Sequence, residues 1–561
     1  MIEKIMKAVK RGNKKRSINI TVGAVVGFLL SCTAVMGANE YLWIKNDGGI
    51  KFSTDNSTPV STGNPYKENT WDGADYVNNK ILNSINSDYG LKLSGDLSGI
   101  NFTNNGLIAV TGNNLTCGIS NEGTIGDITN TGLITGTSTG NSYGNDGNGI
   151  YNNGTMGNIT NRGLIIGTNT GRQYGHGIYN AGIIGNVINT GSIIGTGTTE
   201  GHGIYNNYNK TMGTITNTGM IVEISNNSGY GIYNTGTMGS IMNTGLIAGI
   251  GKLHSSGIYL SGGSSSTTTA ICNEGVIIAQ GKTSIDGIAS SGRLMEGIVN
   301  NGLISLTNTE ELNAAGSISY GISALNSGTT KTIKNNGLVI GKSINGENNC
   351  GIYNQGVGVR VSNIGSVVNI ATGTGNVHGV SNSKGSYSHI ASIVNSGLIT
   401  GTSTGSGTAY GIFNKQHESN GGEIGNIANT GVIYGKTNTV KNETGGKINS
   451  LRNYGILATE GSTIIESNGT ITNAPLNYGL YIEGPTGVVT VDPISAPTDI
   501  IVGYDDSGNT IRRNMTIKNA AIQGGSGIGT STDSFVFSAT PNEFDNSILN
   551  GKNDTLKVLG K

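Results

Sequence analysis

The sequence predicts an all-β protein: a right-handed parallel β-helix, three-sided, with turns of about 28 residues, preceded by an N-terminal signal helix. Three observations predict it. The first is a phrase that returns. GIYNNGTMGNITNRGLIIG at 149–167, GIYNAGIIGNVINTGSIIG at 177–195 and GIYNTGTMGSIMNTGLIAG at 231–249 align without a gap. The second is the size of the apolar pieces inside the phrase. They are short and rich in Ile and Val, which suits strands, and none is long enough for a helix. The third is composition. Of 561 residues, 94 are Gly and only 7 are Pro. Each Gly in a helix interior costs about 1 kcal/mol relative to Ala, so helix is expected only at the N-terminus.

Residues 1–38 read as a signal peptide with an extended basic n-region. Lys4, Lys7, Lys10, Arg11, Lys14, Lys15 and Arg16 stand against one Glu3, and Ser17 to Asn39 carries no charge. Cleavage after Gly37 or Ala38 fits. An uncleaved anchor is a second reading, since about 20 apolar residues span a bilayer, but Asn19, Thr21, Ser31 and Thr33 dilute the run. A lipoprotein signal ending at Cys32 is a third, and Leu30 fits it poorly.

Residues 39–100 lack the phrase but hold Trp43 and Trp71. They are expected to cap the open edge of the first turn. Residues 101–474 hold the repeats. The phrase restarts at Gly118, Gly149, Gly177, Gly203, Gly231, Gly257, Gly287, Gly321, Gly351, Gly379 and Gly411, spaced 26 to 34 residues apart. An Asn-x-Gly corner stands inside each copy, where Asn and Gly tolerate left-handed backbone. No single turn buries its apolar row alone; stacked turns do. Ile150, Ile178, Ile204 and Ile232 should form one inward ladder, and Asn161, Asn189, Asn217 and Asn243 a stacked amide ladder. The corner between turns varies. Loops beginning at Thr168, Thr196 and Ile224 should project, and Thr168, Arg172, Tyr174, Thr196, Glu200 and Asn226 are the candidate contact residues. Longer loops are expected between Glu311 and Gly321 and from His417 to Ile424. Residues 475–561 read as an irregular C-terminal β segment with five of the seven prolines.

Charge and cysteine content exclude some function classes. Removing residues 1–38 takes away seven of 34 basic and one of 34 acidic residues, leaving 27 against 33, near −6. No basic surface remains to collect phosphates, so nucleic acid is not an expected partner. Cys117, Cys272 and Cys350 are odd in number and widely spaced, which is not a disulfide framework.

The extended signal and the NTGLI-type repeats, such as NTGLITGTSTG at 130–140, resemble the passenger of a type V secretion autotransporter. The resemblance covers about residues 1 to 470. It implies entry into the Sec translocon through the signal peptide, an outer-membrane β-barrel translocator, export from a Gram-negative cell to the surface or medium, and an adhesive role toward an extracellular receptor or glycan. One departure stands out. Barrel strands read as segments of about ten alternating residues with aromatic girdles, and residues 475–561 are too short and too poor in aromatics to supply them. A truncated chain, a separately encoded translocator, or a protein no longer exported are the three readings of that departure, truncation being favoured; a nonfunctional remnant is its limiting case.

The residues offer little for catalysis. Polysaccharide cleavage on a β-helix needs clustered carboxylates, and the adjacent acidic pairs are Glu310-Glu311 and Asp505-Asp506. GTSTG occurs at 136–140 and 401–405, but a nucleophile elbow needs a helix after the Ser. GKT at 281–283 and 435–437 and GKS at 341–343 lack the upstream Gly of a phosphate loop. His176 and His202 precede GIYN in successive turns, and Cys350 and His378 hold the same slot in a later pair. A metal site needs three or four convergent ligands, so a variable corner position is the favoured reading. Thr137/Thr139, Thr168/Thr170, Thr196/Thr198 and Thr402/Thr404 suggest a flat threonine array that could order ice or a crystalline polymer, though the next turns break it. The expected function is therefore a non-enzymatic, surface-displayed or secreted stalk that binds through its loops. No cofactor and no metal is expected. A secreted carbohydrate-active β-helix, using Asp505 or Asp506, is the alternative.

Overall fold

The computed structural model describes residues 41–45, 49–53, 71–72, 75–79, 81–262, 265–308, 318–325, 330–343, 348–383, 388–415 and 422–484. Beyond these it describes the short strands at 488–491, 500–504, 510–513, 521–523, 535–538 and 555–556. The expected signal peptide, Glu310-Glu311, Asp505-Asp506 and most of the two expected long loops lie outside the described residues.

The chain winds into a parallel β-solenoid of about 13 turns of about 28 residues, with three sheets and no α-helix among the described residues. One turn shows the plan. Strand Glu200–Asn206 lies on what we term the GIYN face. After a corner, the short strands Thr211–Met212 and Ile215–Asn217 form the ITN face. After the Asn-x-Gly corner, Met220–Ser225 forms the LIIG face. A two-residue arc, Asn226-Asn227, leads into the next GIYN strand, Ser228–Asn234. The same order repeats up the rod, so each sheet grows by one rung per turn, at about 4.8 Å.

The register carries the side-chain columns that the repeats predict. Ile150, Ile178, Ile204 and Ile232 pair in sequence and are fully buried. A second column, Ile159, Val187, Ile215 and Ile241, and a third, Ile165, Ile193, Ile221 and Ile247, are equally buried. These columns belong to one continuous apolar cluster running from Leu42 to Ile464. Each fully buried Ile contributes about 2 kcal/mol of transfer free energy, and it does so only when the next turn covers it.

The glycines of the corners follow a different logic from the one their composition suggests. The repeated Asn-x-Gly glycines do not adopt positive φ; among described residues that backbone occurs at Asn86, Asn209 and a few other glycines such as Gly144 and Gly445. The glycine of GIYN is instead required by close approach. A Cβ on Gly177 would meet Ile193 Cγ2 at 2.5 Å and the Gly203 carbonyl oxygen at 2.6 Å. Neighbouring turns are simply too near for a side chain.

The stack also extends beyond the repeat phrase. Asp75–Asn78 and Ile81–Ile85 already pair in parallel with Asn101–Asn104 and Leu107–Gly112. Below them, Tyr41–Lys45 pairs in parallel with Tyr89–Ser94 and antiparallel with Gly49–Ser53. A hairpin therefore occupies the lower end of the GIYN face, where an unpaired strand edge would invite aggregation. At the other end, Leu480–Glu483 pairs antiparallel with Val488–Val491. Among the described residues the parallel stacking of that sheet ends there.

Candidate functional surface

Two buried amide columns hold the corners. The first runs through fifteen asparagines from Asn78 to Asn477, including the predicted Asn161, Asn189, Asn217 and Asn243. Every link has the same sense: Nδ2 of one turn donates to Oδ1 of the next at 2.7–2.8 Å, as in Asn189 to Asn217 and Asn217 to Asn243. Each Nδ2 also donates to carbonyls, Asn217 to those of Gly219 and Leu246. The corner glycine carbonyls also accept a backbone N–H from the next turn, Gly219 from Leu246, so the amide side chains give these buried acceptors a second donor. Sequence reasoning missed the second column. Asn121, Asn152, Asn180, Asn206 and Asn234 link at 2.8 Å, and Asn354, Asn382, Asn414 and Asn442 at 2.8–2.9 Å. Its signal was present as the N of each GIYN. The gap between the two runs coincides with Leu260, Ser290 and Ala324 in the same register.

The slot before GIYN is one stacked column. His176 and His202 lie in register, ring centroids 4.8 Å apart and Nδ1 atoms 2.9 Å apart. One Nδ1–H must donate and the other nitrogen accept. Burial, then the neighbouring His202, holds His176 well below the ordinary imidazole range. Tyr230 continues the column. Beside it, Tyr179, Tyr205, Tyr233 and Tyr259 stack at 5.0–5.3 Å, and Tyr151 lies tilted against Tyr179 at 5.2 Å. Cys350 pairs with His378 as expected, and burial depresses His378 to about 3. Glu200 reaches His202 Nε2 at 3.2 Å. Among the described residues no group of three or more His, Cys, Asp or Glu is placed to hold a metal ion.

Glu223 carries a second signal that sequence reasoning passed over. It replaces, in NTGMIVE, the glycine that its neighbours Gly195 and Gly249 place in the same register. Its side chain is fully buried. It lies against Gly201 and Gly229, where only glycine leaves room for it. Neither carboxyl oxygen has a hydrogen bond of ordinary geometry. Burial raises its pKa well above the usual carboxylate value, offset in part by Ser225 and the Ile250 backbone nearby.

A pH dependence follows from the sign of that shift. The unfolded chain ionises Glu223 near 4.5, while the folded chain holds it protonated to higher pH. Stability is therefore greatest below the unfolded value and falls as pH rises toward the folded one. Glu223→Gln keeps the shape and removes the ionisation. The variant should match the parent near pH 4 and exceed it in stability at pH 8, read as the difference between two thermal unfolding curves. A difference that is larger at pH 4 would contradict the assignment.

The structure places the predicted contact residues unevenly. Arg172 and Asn226 are exposed at the arcs. Thr168 and Thr196 are not in loops: they lie in strands Leu164–Asn169 and Ser192–Gly197, and Thr168 is buried. Tyr174 begins strand Tyr174–Asn180 and stacks on His176, and Glu200 begins its own strand. The strands run on almost to the tip, so the expected projecting loops shrink to arcs of two to four residues. Thr137, Thr168 and Thr196 do stand in one column on successive turns, but Ile224 ends it and Thr168 is buried, so the Thr-x-Thr pairs form no extended flat array. Ser138 of GTSTG is buried at the end of a strand, donates to the Asn114 carbonyl at 2.8 Å, and has no helix after it.

No protein-family model, no curated protein and no solved structure matches this chain.

Proposed function

We propose that the chain is the passenger of a type V secretion system, carried into the Sec translocon by its signal peptide and across the outer membrane by a β-barrel translocator. There it acts as a non-catalytic adhesive stalk at the cell surface or in the medium. The observation that carries the reading is the unbroken stack. About 13 turns at about 4.8 Å build a rod of roughly 60 Å. Such a rod sets its sides at fixed heights, where weak contacts to a receptor or glycan sum into avidity. The extended basic n-region and the NTGLI repeats support the secretory route. The scattered acidic side chains support binding rather than turnover.

The test is display in a Gram-negative host. Protease added to intact cells should cleave the rod, and cells carrying it should bind a host-cell or matrix surface that cells lacking it do not. Binding should survive Asp505→Asn and Asp506→Asn. Rods retained inside intact cells, or glycan cleavage lost with either aspartate, would sink the reading in favour of an internal protein or a carbohydrate-active enzyme respectively.

A further inference from the structure

The ITN face differs from the rest of the rod in its outward chemistry. Its strands from Ile183 to Asn243 contain no charged residue. The central rung, the turn from Thr211 to Thr218, presents a row of threonines outward. Thr216 sits between Ile188 on the turn before and Met242 on the turn after, in register. Both of these apolar side chains face solvent, 41% and 48% exposed.

Charge returns two turns away on each side, and with opposite sign. Arg162 and Glu274 occupy the same place in the phrase as Thr218, directly after the ladder asparagine. Arg162 N–H donates to the Asn130 carbonyl, Thr218 N–H to that of Asn189, and Glu274 N–H to that of Asn243. The column through Thr218 therefore reads Arg162 two turns before the centre and Glu274 two turns after it, all three exposed.

This pattern is its own complement when reversed. Rotation by 180° about an axis lying in the face, along the strand through Thr216, inverts the order of turns and leaves each column over itself. Ile188 of one copy then meets Met242 of the other, Arg162 meets Glu274, and the threonine rung meets its own counterpart. We propose that the ITN face is the interface of an antiparallel homodimer centred on Thr216.

The area is compatible. Eight residues of strand and corner span about 26 Å and five turns about 24 Å, roughly 600 Å² per copy and about 1,200 Å² in all, the lower end for a specific complex. A two-fold interface of this kind is self-complementary by construction. The uncharged strands at the centre confine like-charge repulsion there to Lys210, which stands at the corner before Thr211 and faces its own counterpart at the edge of the central rung.

Charge reversal tests the orientation as well as the contact. Full-chain protein is followed by sedimentation across a concentration series, with circular dichroism to confirm that each variant keeps the β fold. The parent should show a monomer–dimer equilibrium. R162E and E274R should each weaken it roughly tenfold or more, because each sets two like-charged pairs face to face. The double variant R162E/E274R should recover the parent behaviour. An equimolar mixture of the two single variants should also associate, since every pair across that heterodimer is again opposite in sign. A parent that stays monomeric throughout would overturn the proposal. So would single variants that associate like the parent, or a mixture no better than its components. Capture of another protein on this face with no self-association counts against it too.

Discussion

Asn217→Ala should lower the unfolding free energy of the rod by about 3–5 kcal/mol, an effect usually reserved for deletions from an apolar core. The amide of Asn217 holds four groups at once. Its Nδ2 donates to Asn243 Oδ1 at 2.7 Å and to the carbonyls of Gly219 and Leu246, and its Oδ1 accepts from Asn189. All of these sit where water does not reach, because Asn189, Asn217 and Asn243 are buried. Truncation leaves Asn243 Oδ1 without its donor, takes from Asn189 Nδ2 its shortest bond and strips the Gly219 carbonyl to its Leu246 N–H alone; a buried orphan costs about 1–3 kcal/mol, and the lost bonds and the void left in the column add to it. Solenoid stability is close to a sum over neighbouring turns, so the loss should be local. Hydrogen exchange should quicken at the amides of residues 189–246 and change little near Asn104 or Asn429. An Asn217→Ala rod with unchanged exchange and an unchanged urea midpoint would show that the column is decoration. Asn105→Ala is the control, since that asparagine is exposed and its amide bonds only the exposed Asn79 and Thr131.

The second large effect comes from adding atoms. Gly203→Val should cost at least about 3 kcal/mol and should open the turn around it. The first carbon alone would stand 2.5 Å from the Gly231 carbonyl oxygen and 2.6 Å from Ile221 Cγ2. One is backbone of the next turn, and the other belongs to the buried LIIG column, so neither can yield without moving its whole rung. Gly144→Ala makes the contrast. Gly144 has φ +85°, and a Cβ added there would meet nothing within 4 Å. Its substitution should cost only about 1 kcal/mol, for the left-handed backbone. If thermal unfolding ranks the two the other way, turn spacing is not what fixes the phrase glycines.

Part of this molecule can be read from its residues because stacking turns periodicity into contact. A residue that recurs every 26 to 34 positions meets its own counterparts on the turns beside it, so a column in the sequence is a column in space. That is why Ile150, Ile178 and Ile204, or Asn161, Asn189 and Asn217, could be named as ladders from the repeat alone. The second amide column needed only the same step applied to the last residue of GIYN. Residues off the pattern carried no such guide. Thr168 and Thr196 stood in segments of variable length, which read as loops, but the strands continue through them and only a few residues turn at the tip. Glu223 stands where the turns beside it have Gly195 and Gly249, and the repeat pattern gives it no place. Its burial depends on Gly201 and Gly229, which pass close by on neighbouring turns.

The sequence by itself determined the repeating unit, the three faces of each turn, and which side chains line the interior, since one spacing repeated over many turns admits few ways to bury the same residues. Only the tertiary structure decided why the GIYN glycines are glycines, how short the arcs are, and which opposite charges lie on one outward column. The reason is distance. Those properties depend on how closely one turn approaches the next, and no pattern within a single turn encodes that gap.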